Sequence, residues 1–219
     1  MREKEEANRL RRLSAVVRFV AQMGETAGSR GVADARQGER DLIESLVQAM
    51  AVWHDLDARG YRRGLDGVYE LAVSLPGAVV SGDPRTMEVG EVVSPGAGCR
   101  LTSLTDMEQL GWHGQQGEML LLPVSAGGTI RWILAIPGGV EREVEGLLLL
   151  VCRTAGGVIE QMDAARGREV ESRLRRRMTL GRASFQARTR GLVEEMTQLT
   201  GAAAARLSVR AGGRRGLTL

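Results

Sequence analysis

Lysine is almost missing from this chain: arginine supplies all of its 30 basic residues except Lys4. That excludes a phosphate-binding loop of the glycine-rich, lysine-ending kind, because no lysine follows a glycine to reach the phosphates. Histidine occurs only at His54 and His113. No Cys-x-x-Cys or His-x-x-x-His spacing groups the donors of a metal site. The basic helical stretch 170–178 has no histidine to accept a phosphoryl group. The two cysteines, Cys99 and Cys152, fall respectively in a glycine-rich loop and in the apolar seam of an expected helix. Reduced thiols in a cytoplasmic protein are therefore expected, not a disulfide. Cys99 as a nucleophile needs a histidine base, for which His113 is the one candidate, and a lone loop thiol is the simpler reading. Gly96-Ala97-Gly98 lacks the third glycine and the preceding parallel strand of a dinucleotide loop, and reads as a turn. Aromatic residues make up only 3% of the chain, too few for a base-stacking platform. No apolar run approaches the roughly 18 residues of a membrane span, the longest being 146–152. Residues 1–12 are charged throughout, so no signal peptide is expected.

What is present is a globular composition: 219 residues, 43% hydrophobic and 26% charged, with a net charge of +3. The stretch that organises the chain is 118–139, EMLLLPVSAGGTIRWILAIPGG, two apolar runs joined by Ser-Ala-Gly-Gly. It predicts a central β-hairpin. In its second run Ile130, Trp132, Leu134 and Ile136 alternate with Thr129, Arg131, Ile133 and Ala135, which predicts a sheet covered mainly on one side. Pro123 and Pro137 are placed near the ends of the runs, where a missing donor matters least.

Before that hairpin, Leu10, Leu13, Val17 and Val20 give a helix over about 3–23 with a narrow packing seam. The stretch 24–38 reads as a flexible connection. A wider stripe of Leu42, Ile43, Leu46, Val47, Met50 and Trp53 predicts a second helix lying on the sheet. Residues 56–63 and 68–75 flank Leu65-Asp66-Gly67, a tight-hairpin signal, with Tyr69, Leu71, Val73 and Leu75 on the buried side. The segment 78–117 is irregular and turn-rich, with a short helix expected near 103–110, capped by Ser103 or Thr105.

After the central hairpin, Val144, Leu148, Val151, Ala155, Val158, Met162 and Ala165 keep a four-three spacing that favours helix pairing. The pattern slips at Gly167, which divides a domain's last helix from a connector, and Gly156-Gly157 should soften the helix. In the tail, Leu192-Val193-Glu194 matches Leu42-Ile43-Glu44, and Arg214-Arg215-Gly216-Leu217 matches Arg62-Arg63-Gly64-Leu65. This internal match reads as the start of a second copy of the same domain. The expected organisation is 1–36, a leading helix and linker; 37–162, the main domain; 163–181, a connector helix; and 182–219, an incomplete second domain.

The order helix, hairpin (DLDARGYRRGLDGVYELAVSLPG), irregular segment, hairpin and long helix (VEREVEGLLLLVCRTAGGVIEQM) resembles a GAF domain over about 36–162. The resemblance implies an α+β fold with a central antiparallel sheet. It places long leading and exit helices on one face and a small-ligand pocket on the other, under the irregular segment. Candidate ligand-binding residues there are Tyr69, Cys99, Trp112 and His113. The family's ligand-specific patterns do not carry over. Lysine is not there for the cyclic-nucleotide signature, Cys99 is followed by Arg100 and not by the histidine of bilin attachment, and only His54 and His113 are at hand as haem ligands. The cofactor is left unknown.

The resulting expectation is a non-catalytic sensing or regulatory module. It couples a small ligand or a partner to an attached output through helical contacts in a homodimer, with no membrane association and a cytoplasmic location. The dimer seam is expected to be Leu10, Leu13, Val17 and Val20 together with Val144, Leu148, Val151, Val158 and Met162. The alternatives are a nucleic-acid binder using Arg173, Arg175, Arg176, Arg177 and Arg182, or a pure dimerisation scaffold. Nucleic acid is disfavoured because Glu160, Asp163, Glu169 and Glu171 share that helix.

Overall fold

The computed structural model describes residues 35–54, 56–75, 83–90, 92–113, 117–179, 190–191, 193–194, 208–210 and 216–218. The expected leading helix over 3–23 lies outside them. Contacts divide the chain into two compact units, the first containing Arg36–Met162 and the second Asp163–Leu219.

In the first unit, helix α1 (Ala35–His54) precedes the hairpin of β1 (Arg59–Arg63) and β2 (Tyr69–Val73). Strand β3 (Thr86–Met87), strand β4 (Cys99–Leu101) and the short helix α2 (Leu104–Gln109) follow. The long hairpin of β5 (Met119–Ala126) and β6 (Thr129–Pro137) then leads into helix α3 (Arg142–Thr179). The strands form one antiparallel six-stranded sheet in the order β3-β2-β1-β6-β5-β4. This is the α+β architecture that the apolar alternation anticipates. Helix α1 begins at Ala35, earlier than the glycine-rich composition of 24–38 suggests, and its first turns are held by Gln37 Nε2 donating to Asp41 Oδ1 at 2.7 Å.

Both faces of the sheet are buried, which corrects the expectation of a sheet covered mainly on one side. On one face Leu120, Leu122, Val124, Trp132, Leu134 and Ile136 meet Leu42, Ile43, Leu46 and Met50 of α1 and Leu148, Val151, Cys152 and Ile159 of α3. On the other, Tyr61, Tyr69, Met119, Leu121, Ile133 and Ala135 meet Met87, Val89, Val93, Met107, Leu110 and Trp112 of the segment 83–113. A near-continuous apolar run such as Ile133–Ile136 suits a strand buried on both faces.

Two bulges redistribute residues between the faces. The β5–β6 register shifts between Val124 and Ser125, so Ile130 packs with Ile133 on the second face instead of beside Trp132. The β1–β2 register shifts at Gly60/Tyr61. Tyr69 and Leu71 accordingly join the second core, while Val73 and Leu75 join the first, and the single buried side expected for β2 is split. Pro123 lies well inside β5, not near its end. It is tolerated because β4 pairs only with Met119, Leu120 and Leu121, leaving β5 an open edge beyond them.

The first hairpin turns where Asp-Gly predicts it: Gly67 has φ +89° and Gly64 N donates to Val68 O at 2.7 Å. Ser103 stands at the N-cap of α2 without a side-chain cap bond. Helix α3 is continuous through Gly167, contrary to the expected break. In that stretch Glu169 pairs with Arg173, and Glu171 with Arg175 at 2.6 Å, one turn apart. Gly156 serves close packing and not flexibility, because a Cβ built there would stand 2.0 Å from the carbonyl oxygen of Ser125. The helix can lie this near β5 only at a residue without a side chain. In the second unit β7 (Ser208–Arg210) and β8 (Gly216–Thr218) pair with each other. Gly216-Leu217 thus lies in a strand, whereas its match Gly64-Leu65 lies in a turn.

Candidate functional site

The face covered by the segment 83–113 holds a polar cluster inside an apolar core. Strand alternation puts Arg59 and Tyr61 on this face, with Gly60 between them turned toward Ile43 and Val73. Arg59 is 1% exposed, and its Nε donates to Asp83 Oδ2 at 2.5 Å, the Asp83 side chain being 0% exposed. Arg59 Nη1 donates to the Asp57 carbonyl at 3.2 Å, and Nη2 lies 3.2 Å from Asp57 Oδ2. The guanidinium carbon stands 5.7 Å from the Trp112 ring centroid, and Tyr61 meets the same ring edge-on at 5.9 Å. This is a cation–π arrangement in a desolvated setting. The Tyr61 hydroxyl donates to Pro84 O at 3.1 Å, so Asp83 and Pro84 both tie the start of the covering segment to β1. Burial, and then the Asp83 carboxylate, push the Tyr61 phenol well above its ordinary range, against the opposing pull of Arg59. It stays protonated and keeps donating.

The four sequence candidates fall around this face unequally. Trp112 is 1% exposed, and its Nε1 is a buried donor with no hydrogen-bond partner among the described residues. Tyr69 is buried in the same core, its hydroxyl donating to Ile130 O at 3.2 Å. Burial raises its phenol pKa as well. Cys99 is half-buried in strand β4, not in a loop, and packs at the margin of the core. His113 is exposed at the outer end of the segment. Arg59, Tyr61 and Asp83 went unnoticed as sequence candidates. Arg59 and Tyr61 share a strand face by period two, but nothing in the spacing pairs Arg59 with Asp83, 24 residues away.

The thiols are poor nucleophiles. Burial, then Asp106, raises the pKa of Cys99, and full burial pushes that of Cys152 up to about 12. Both are protonated at neutral pH, and the thiolate is the reactive form. Among the described residues no group of three metal-ligating side chains comes together.

Strand β4 links this face to the other. Cys99 borders the second core, while Arg100 reaches the helix side. Its Nη1 lies 2.6 Å from Glu118 Oε2, and its Nη2 donates to Glu145 Oε2 and Val140 O at 2.7 Å each. Those bonds raise the Arg100 pKa, Glu145 contributing most. Glu145 belongs to the first turn of α3, so one side chain joins β4, the start of β5 and the exit helix. On the same helix face, buried Glu39 binds Arg131 at 2.6 Å and accepts from Trp132 Nε1 at 3.4 Å, sewing α1 to β6. Of the stripe Val144, Leu148, Val151, Val158 and Met162, read as a dimer contact, Leu148, Val151 and Val158 are buried against the chain's own sheet, and Val144 and Met162 pack half-buried beside them. Arg173 and Arg175, candidate phosphate contacts, each pair with a glutamate one turn earlier.

No family model matches the chain, and none of the curated proteins matches it in sequence. Solved structures do match. The GAF domain of the Acinetobacter phosphoenolpyruvate-protein phosphotransferase shares 16% identity, covering 68% of this chain and 94% of its own, at a TM-score of 0.47. The A. aeolicus nlh2 GAF domain in an inactive state shares 11%, covering 70% and 99%, at 0.45. The free methionine-R-sulfoxide reductase of Neisseria meningitidis, solved with its substrate, shares 9%, covering 72% and 93%, at 0.50. The six-stranded antiparallel sheet between two long helices and a covering segment is a GAF-like α+β fold. The matched structures thus include both GAF domains and a reductase. Among the described residues no helix is long and apolar enough to cross a membrane.

Proposed function

We propose that this chain is a non-catalytic sensor or regulatory module of the cytoplasm. A small ligand or partner engages the sheet face under residues 83–113, and the exit helix α3 passes the change to an attached output. The observation that carries the reading is the Arg100 junction, which ties a strand bordering that face to the first turn of α3. A ligand that moves the covering segment bears on β4, and β4 cannot shift without disturbing Glu145. Tyr69, Cys99, Trp112 and His113 are the proposed lining, reached when the covering segment lifts. The raised thiol pKa values argue against a thiolate nucleophile at this face. The module acts as a homodimer, in this proposal, through the outward sides of α1 and α3. There Val52 is 82% and Leu150 52% exposed, while the Val144–Met162 stripe is committed to the core.

The test is amide hydrogen exchange with an unbiased small-molecule screen by thermal shift. A stabilising molecule should slow exchange in both 99–112 and 142–149, and Arg100→Gln should abolish the second effect while leaving the first. Slowing confined to 99–112 in the parent protein would refute transmission through this junction.

A further inference from the structure

We propose that the Asp83 carboxylate is an internal stand-in for the carboxylate of a small ligand, and that Arg59 and Trp112 are the groups that read it. The proposal rests on the sensor reading of this face and names its ligand class. Three observations carry it. A guanidinium 1% exposed and a carboxylate 0% exposed meet beside a core of Tyr, Trp, Met, Leu, Val, Ile and Ala side chains. A buried ion pair holds a segment no better than apolar side chains of similar volume, so fastening alone does not account for it. The pair also spans a joint, because Arg59 lies in central strand β1, whereas Asp83 begins the described part of the covering segment. Finally, Trp112 Nε1 is a fully buried donor without an acceptor among the described residues, on a ring 5.7 Å from the Arg59 guanidinium carbon. A buried donor left unpaired is costly, and no described residue accepts from it.

A ligand carboxylate meets both needs. One oxygen replaces Asp83 Oδ2 on Arg59 Nε, and the other accepts from the Trp112 indole N–H. A planar carboxylate has the two acceptors for this, and arginine is the cation suited to receive it. Asp83 then turns out to solvent, and with it goes the Tyr61 bond to Pro84 O, which releases the start of the covering segment. The resting state is thus closed by its own carboxylate, and the ligand wins by engaging Trp112, a donor that Asp83 leaves unused.

The experiment uses sodium acetate as probe on the full chain, with sodium chloride at equal ionic strength as control, and follows the melting temperature. Asp83→Ala should show a saturable acetate-dependent stabilisation, with an apparent Kd at least ~10-fold below that of the parent protein. Adding Trp112→Phe should weaken it by ~10-fold, the scale of one lost bond to a charged acceptor. Should Asp83→Ala fail to fold, Asp83→Asn keeps the shape with a weaker hold on Arg59, and its acetate Kd must also fall below the parent's. Acetate acting no better than chloride on both variants overturns the proposal, as does an acetate effect indifferent to Trp112→Phe. In the first case a stabilising molecule of another class would leave the sensor reading intact. Acetate binding to the parent protein that leaves exchange in 142–149 unchanged supports the carboxylate site and refutes transmission through the Arg100 junction.

Discussion

Two adjacent glycines show how far single-residue chemistry depends on position. Gly156 faces Ser125, and the Cβ of an alanine there would stand 2.0 Å from the Ser125 carbonyl oxygen; Gly157 has nothing within 4 Å of the same construction. Gly156→Ala should therefore cost about 3 kcal/mol by prising α3 from β5. Gly157→Ala should gain roughly 0.5–1 kcal/mol of helix propensity. Urea titrations of the two variants check both signs. A second residue-scale consequence follows from Cys152, whose thiol is pushed up to about 12 by complete burial. The unfolded chain ionises this thiol near pH ~8.5, the folded chain only far above it. The stability from a neutral thiol is therefore intact below about pH 8.5 and is lost as pH climbs toward 12, at no more than about 1.4 kcal/mol per pH unit. Between about pH 8.5 and 10, before the tyrosines contribute, Cys152→Ala should flatten the decline. An equal slope in parent and variant would disprove the assignment.

At the scale of elements, Arg100 and the exit-helix stripe make opposite demands. The Arg100 side chain is 28% exposed and its partners Glu118 and Glu145 are 42% and 22% exposed, so solvent screens the pairs. Arg100→Ala should cost only about 1–2 kcal/mol, yet free the first turn of α3, seen as faster exchange at 142–149. Val151 and Val158 lie instead inside the first core. Glu at both positions should abolish cooperative melting at any protein concentration, because each carboxylate is buried unpaired. A variant that stays folded and merely dissociates would restore them to a dimer seam. The elements themselves were largely legible: the alternation in β5 and β6, Asp-Gly in the first turn and the stripes of α1 and α3 are local patterns. Face assignment was not, since the bulges at Val124/Ser125 and Gly60/Tyr61 follow from pairing geometry. The Arg59–Asp83 pair was invisible for a related reason. Two charged residues 24 apart carry no period, and an isolated arginine in a strand reads as solvent-facing until the covering segment is placed over it.

For the whole molecule, the division near Met162 separates a unit with two filled cores from one whose described strands form only a two-stranded hairpin. A two-stranded hairpin is marginal alone, whereas six strands with helices on one face and a covering segment on the other enclose their own apolar surface. If 182–219 is an incomplete second domain, as the sequence suggests, it should be dispensable for folding of the first. A chain ending at Gly181 should keep a single cooperative transition within about 1 kcal/mol of the full chain, the size of an ordinary surface change. A loss above about 3 kcal/mol would mean that the tail completes the first core, which no surface effect could imitate. The same pair of proteins locates the dimer contacts. If these use the outward sides of α1 and α3, light scattering at tens of micromolar should report a dimer for both lengths. Leu150→Glu, at a position 52% exposed, should then give a folded monomer, because a charge there is solvated in the free chain and desolvated only on pairing. A monomeric parent protein would remove the dimer from the mechanism, and the signal would have to leave through α3 as a single helix.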